Sequence, residues 1–113
     1  MAYNAELADR VRTLFAEVDN VIEKKMFGGI AFLVHDKMCV TVRENRIMCR
    51  IDPAIHSASI QRKGCESVVM KGREYIGYVR IAEDALKTKK ELQYWIQLAL
   101  DFNPKAQPSK KNK

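Results

Sequence analysis

The sequence predicts a two-layer α+β domain, helix–three strands–helix–two strands–helix, with the helices packed on one face of an antiparallel meander. Residues 26–51 supply the first observation. MFGGIAFLVHDKMCVTVRENRIMCRI divides at His35-Asp36 and Glu44-Asn45 into three β-rich runs free of proline. The second lies toward the two ends of the chain, where apolar residues recur at three- and four-residue spacing. The third is surface area: the helices are too few and too short to bury one another and also leave five strands to themselves.

Symmetric closure of both turns sets Leu33 opposite Met38, Ala31 opposite Val40, Val42 opposite Ile47, Val40 opposite Cys49 and Met38 opposite Ile51. Leu33, Met38, Val40, Val42, Ile47, Cys49 and Ile51 then make an inner, core-facing surface. The second face is half apolar and half basic. On it Ile30, Phe32, Cys39 and Met48 form an expected exposed cluster, a candidate protein contact rimmed by Arg43, Arg46 and Arg50. The same arginines, together with Lys110 and Lys111 of the tail, are the candidate nucleic-acid contacts. Period-two alternation leaves the opposite assignment, with the helices over this second face, open.

Around the meander the elements follow in order. Leu7, Val11, Leu14, Phe15 and Val18 stripe a helix over 6–18, with Asn4 as its cap. Val21 to Lys25 leads into the meander, and Gly28-Gly29 fits a bulge or a close backbone approach better than a phosphate cradle, since no P-loop or dinucleotide spacing follows. Asp52-Pro53 starts a short helix that Gly64 ends. Residues 67–71 and 75–81 read as a second strand pair around Gly72-Arg73, with Tyr75, Gly77, Val79 and Ile81 on one face and Ile76, Tyr78 and Arg80 on the other. After a helical turn over 82–86, Thr88 and Glu91 spell a capping box for a last helix striped by Leu92, Trp95, Ile96, Ala99 and Phe102. Its spacing places Trp95 in the core.

At 113 residues the chain is one domain, expected over 1–104, with a basic disordered tail over 105–113. Lys105, Lys110, Lys111 and Lys113 hold most of the +6 net charge and leave the body at about +2. Such a tail serves solubility or a weak contact with nucleic acid. The longest apolar run, Ile30 to Val34, is far short of a membrane span, and the N-terminus leads into acidic helical sequence with no apolar leader. Together these point to the cytoplasm, with no membrane partner. Three cysteines in that setting are expected as reduced thiols, Cys39 and Cys49 on opposite faces and Cys65 in a loop as the most reactive.

No constellation reaches the standard of an active site, and no cofactor is implied. His35 and His56 read as separate exposed polar residues, the cysteines lack metal-ligand spacing, and Ser57 and Ser59 lack a nucleophile-elbow context. The reading is therefore non-enzymatic: an interaction domain with a protein partner or a second copy of itself. Direct nucleic-acid binding is the first alternative. A small enzyme is the second, and it would need a histidine, a cysteine and a carboxylate to converge.

Several stretches carry a resemblance. KKMFGGIAFLV at 24–34, KMCVTV at 37–42, RIMCRIDP at 46–53, MKG at 70–72, GYVRI at 77–81 and LQYWIQLALDFN at 92–103 resemble the N-terminal domain family of TfoX/Sxy, regulators of natural competence. The match covers nearly everything but the tails. It departs from the family pattern at His35-Asp36, where relatives often carry Asn-Gly, and at Thr41, where glycine is common. The resemblance implies a secretion-chaperone-like α/β fold with the element order read above. It also implies a stand-alone accessory or regulatory protein acting in transcription or competence, and it brings no catalytic residue with it. The full competence regulators carry a second, C-terminal domain, and this chain is expected to act without one.

Overall fold

The computed structural model describes residues 4–26 and 28–106. Helix α1 (Ala5–Leu14) is followed by four strands, β1 (Val21–Met26), β2 (Gly29–Val34), β3 (Lys37–Val42) and β4 (Arg46–Arg50). A 3-10 turn at Pro53–Ile55 runs into the short helix α2 (His56–Ser59). Strands β5 (Cys65–Met70) and β6 (Arg73–Ala82) come next, and helix α3 (Lys89–Phe102) closes the order. The six strands form one open sheet in the order β1-β2-β3-β4-β6-β5, antiparallel at every pairing. The α+β class and the helix layer are as the sequence predicts, but residues 21–26 add a strand that was expected only as a lead-in.

The helix boundaries follow their caps. Asn4 Oδ1 accepts from the Leu7 N–H and starts α1, which stops at Leu14, earlier than the apolar stripe alone suggests. Phe15 and Val18 still pack on the core from the turn beyond it. Asp52 caps the Pro53 turn, and Thr88 and Glu91 exchange both bonds of a capping box at the start of α3. A 3-10 turn at Asn103–Lys105 and the buried Ala106 continue the ordered chain past the expected boundary at 104. The expected tail from residue 107 onward lies outside the described residues.

The register departs from symmetry at one point. Leu33 pairs with Met38 as predicted, but Phe32 pairs with Val40, Ala31 with Thr41 and Ile30 with Val42. Cys39 is the unpaired residue of a bulge, so Cys39 and Val40 both join the core while Met38 does not. Val40–Cys49 and Val42–Ile47 pair as expected, whereas β4 ends at Arg50 and makes no Met38–Ile51 pair. Under the helices lie Ile30, Phe32, Val34, Val40, Val42, Ile47, Cys49, Val79 and Ile81, packed against Leu7 and Val11 of α1 and against Leu92, Trp95 and Ile96 of α3. Phe15 stacks on Phe32 with ring centroids 5.4 Å apart, worth about 1 kcal/mol beyond simple burial.

This overturns part of the expected face assignment. Ile30, Phe32 and Cys39 are 4%, 0% and 1% exposed in the core, so the expected exposed cluster exists only at Met48. Leu33 and Met38, expected in the core, belong to the other side. Cys39 and Cys49, expected on opposite faces, sit in the same core.

A second irregularity shapes the far half of the sheet. Ser67 pairs with Val79 and Val68 with Tyr75, leaving Ile76, Gly77 and Tyr78 of β6 across one step of β5. Gly77 has φ +96°, and a Cβ there would stand 3.2 Å from the Ile51 carbonyl oxygen that lies against it. The kink moves Tyr75 and Tyr78, expected on opposite faces, onto the same one. The turn between β5 and β6 is Lys71-Gly72, one residue earlier than read from the sequence. Gly29 answers the paired-glycine question, because a Cβ on it would lie 2.6 Å from the Val42 carbonyl oxygen.

Substitution separates the two faces directly. Phe32→Asp places a charge in the core and should cost at least about 4 kcal/mol, abolishing the cooperative transition in urea. Met48→Asp on the other face should stay folded and lose no more than about 1 kcal/mol. Equal losses for the two would contradict the register.

Candidate functional site

The face of the sheet turned away from the helices carries a groove of about 480 Å³. Its residues come from four strands and the β3–β4 turn. Met38 and Thr41 belong to β3, Arg46 and Met48 to β4, and Arg43 to the turn. Val68 and Met70 come from β5, and Tyr75, Tyr78 and Arg80 from β6. Methionine suits such a floor because its unbranched, polarizable chain refits to different contacts.

The ladder arranges these side chains in rows. Arg43 and Arg46 share the row nearest the β3–β4 turn, joined by the bond from the Arg43 N–H to the Arg46 carbonyl at 2.8 Å. Thr41, Met48 and Arg80 make the next row, and Arg50 and Tyr78 the one after. Tyr75, paired with Val68, lies farther on. Arg43, Arg46 and Arg80 thus gather toward one end of the groove, and the aromatic end has Arg50 beside its tyrosines. The Arg50 guanidinium sits 5.6 Å from the Tyr78 ring centre, and Tyr75 meets Tyr78 edge-on at 6.5 Å. Among the described residues Arg43, Arg46 and Arg80 form no ion pair, neither with Glu44 nor with the exposed Glu66 opposite Arg80.

Of the candidate contacts, Met48, Arg43 and Arg46 therefore line one groove and Arg50 flanks it, while Ile30, Phe32 and Cys39 lie beneath the sheet. Lys110 and Lys111 fall outside the described residues. The sequence reading missed Met38, Val68, Met70, Tyr75 and Tyr78 as groove residues. Gly77 inside an otherwise regular strand was the available signal, since such a glycine marks a bulge or close approach.

His56, expected at the surface, is 2% exposed. Its Nδ1 accepts from the Gly77 N–H at 2.9 Å, which leaves the ring proton on Nε2 to donate to Ser67 Oγ at 2.7 Å. Ser67 in turn donates to Glu74. The polarity is the reverse of a catalytic serine–histidine pair, where the imidazole withdraws the hydroxyl proton. The chain of bonds instead pins the β6 kink to α2. Among the described residues no group of three or more His, Cys, Asp or Glu side chains gathers as metal ligands, and no helix is long and apolar enough to cross a membrane.

A family model described as the TfoX N-terminal domain matches residues 13–103. The chain belongs to the TfoX N-terminal domain family. Searches of the curated proteins and of the solved structures returned no match. Within this TfoX N-terminal domain, the matched span contains the four arginines and every residue of the groove.

The three cysteines are free thiols in the core, and Cys65, expected in a loop, is a buried residue of β5. Burial pushes the Cys39 thiol up to about 12 and the Cys65 thiol to about 11, and it raises Cys49 as well. At pH 8 none should react with a disulfide reagent until denaturant opens the core, when all three should titrate. Because the folded state holds these protons more tightly, their stabilisation is complete below the ordinary thiol pKa. It should fall as pH rises from about 9 toward 11–12. Cys39→Ala should flatten that decline, and rapid labelling of the native protein would contradict the burial.

Proposed function

We propose that this TfoX-family chain is an accessory or regulatory protein that acts by non-covalent contact with a protein partner, in transcription or competence control. Its working surface is the open face of the sheet. The carrying observation is the methionine- and tyrosine-lined groove with Arg43, Arg46 and Arg80 at one end. Arginine and aromatic side chains suit an interface core, since a guanidinium sheds water at less cost than an ammonium and still binds carboxylates in a fork. Family membership supports the regulatory role. The reversed polarity at His56 and Ser67 supports a binding domain over an enzyme.

Direct nucleic-acid binding is the second reading, favoured by arginines and tyrosines sharing one sheet face. The Tyr78 ring, however, already meets Arg50 and the Tyr75 edge, which limits its use as a platform for a base.

A photoreactive residue at position 48, compared with one at position 97 on the exposed side of α3, tests the surface. The expected result is crosslinking of a partner protein from 48 and not from 97. The purified partner should then lose at least tenfold in affinity for the Arg43→Gln, Arg46→Gln, Arg80→Gln triple variant. Crosslinks from 97 alone would move the surface to the helix layer. Crosslinks to DNA, with an affinity that falls steeply as salt is added, would replace the protein reading with the nucleic-acid one.

A further inference from the structure

The row order of the groove defines a ligand as well as a surface. Strand rows on one face are about 6.7 Å apart, so a molecule lying along the strands would pass from Arg43 and Arg46, past Met48 and Arg80, to Tyr78 and Tyr75. The volume of about 480 Å³ falls in the ordinary range for small-molecule sites, which combine an apolar lining with a few convergent polar groups.

Three of the four cations lie toward the β3–β4 turn, and the fourth, Arg50, sits over the Tyr78 ring beside the other end. Arg43, Arg46 and Arg80 have no ion-pair partner among the described residues, and the carboxylate opposite Arg80, that of Glu66, is exposed and forms no pair with it. Arginines along one side of an apolar floor favour an anionic group that brings its own apolar body. The Arg43 side chain lies against the β2 backbone, where a Cβ on Gly29 would stand 2.7 Å from Arg43 Cδ.

We infer that the groove is a binding site for a small amphipathic carboxylate, its anionic end held by Arg43, Arg46 and Arg80 and its aliphatic or aromatic body lying over Met48 toward Tyr75 and Tyr78. The inference rests on the open face being the working surface. It adds a regulation of that face: an occupied groove neutralises the arginines and fills the apolar floor, so the ligand and an acidic partner compete for one surface.

The test is an NMR titration of the full chain, in the absence of any partner, with sodium decanoate below its micelle concentration. Decanol and inorganic phosphate at matched ionic strength serve as comparisons. Decanoate should give saturable shifts centred on residues 41, 48, 78 and 80, with a dissociation constant in the millimolar range or tighter. Decanol and phosphate should each bind at least tenfold more weakly, one lacking the charge and the other the apolar body. The Arg43→Gln, Arg46→Gln, Arg80→Gln variant, verified as folded by its amide spectrum, should lose at least tenfold in decanoate affinity. Decanol binding as well as decanoate, phosphate saturating the same residues equally, shifts confined to the helix layer, or no saturable binding would each overturn the inference. Failure of the partner contact with decanoate binding intact would defeat the proposed function and leave the ligand site standing.

Discussion

Cys39 has no partner across the β2–β3 ladder, because Leu33 pairs with Met38 and Phe32 with Val40. A strand alternates its side chains strictly, so one extra residue reassigns every position on one side of it. Before the bulge Leu33 and Met38 share the open face; after it Ile30, Phe32, Val40 and Val42 share the core. The Phe15–Phe32 stack, the seating of α1 and the exclusion of Met38 from the core all depend on that single insertion. Without it Phe32 would stand in water opposite the helices, and the groove would lose Met38.

The other half of the groove depends on a different irregularity of the same kind. Gly77 carries the β6 kink, with its carbonyl accepting from the Ile51 N–H and its own N–H bound by His56. A buried imidazole with both nitrogens committed makes the kink costly to straighten, since each lost partner leaves a polar group dry. The consequence on the far side of the sheet is that Tyr75 and Tyr78 meet each other and face Met48 and Arg80. Core and open face are therefore one construction. Two bulges, each locked from the helix side, set which side chains the sheet presents on the other.

Much of this was legible in the chain. The capping box at Thr88, the core place of Trp95, the Leu33–Met38 and Val42–Ile47 pairs and the shared face of Arg43 and Arg46 follow from spacing and turn position. The strand at 21–26 was not, because its residues Glu23, Lys24 and Lys25 occupy a sheet edge and show little apolar alternation. The bulge at Cys39 left no mark that period-two reasoning detects: cysteine is small and apolar enough to read as an ordinary strand residue on either face. His35 and Asp36 both adopt positive φ, 53° and 65°, so the turn is tight and symmetric as expected, and the asymmetry begins only beyond it. His56 was misread because a short helix with modest apolar content looks exposed. Its burial comes from the Gly77 kink, a contact between residues 21 positions apart.

The register of β2 against β3 is the feature on which both faces rest, and cross-strand nuclear Overhauser contacts measure it directly. Contacts should link Phe32 with Val40, Ala31 with Thr41 and Ile30 with Val42, and the Phe15 and Phe32 rings with each other. Cross-strand contacts between Ala31 and Val40, with the Phe15 ring contacting Leu33 and Met38 instead of Phe32, would establish the unbulged register and contradict it.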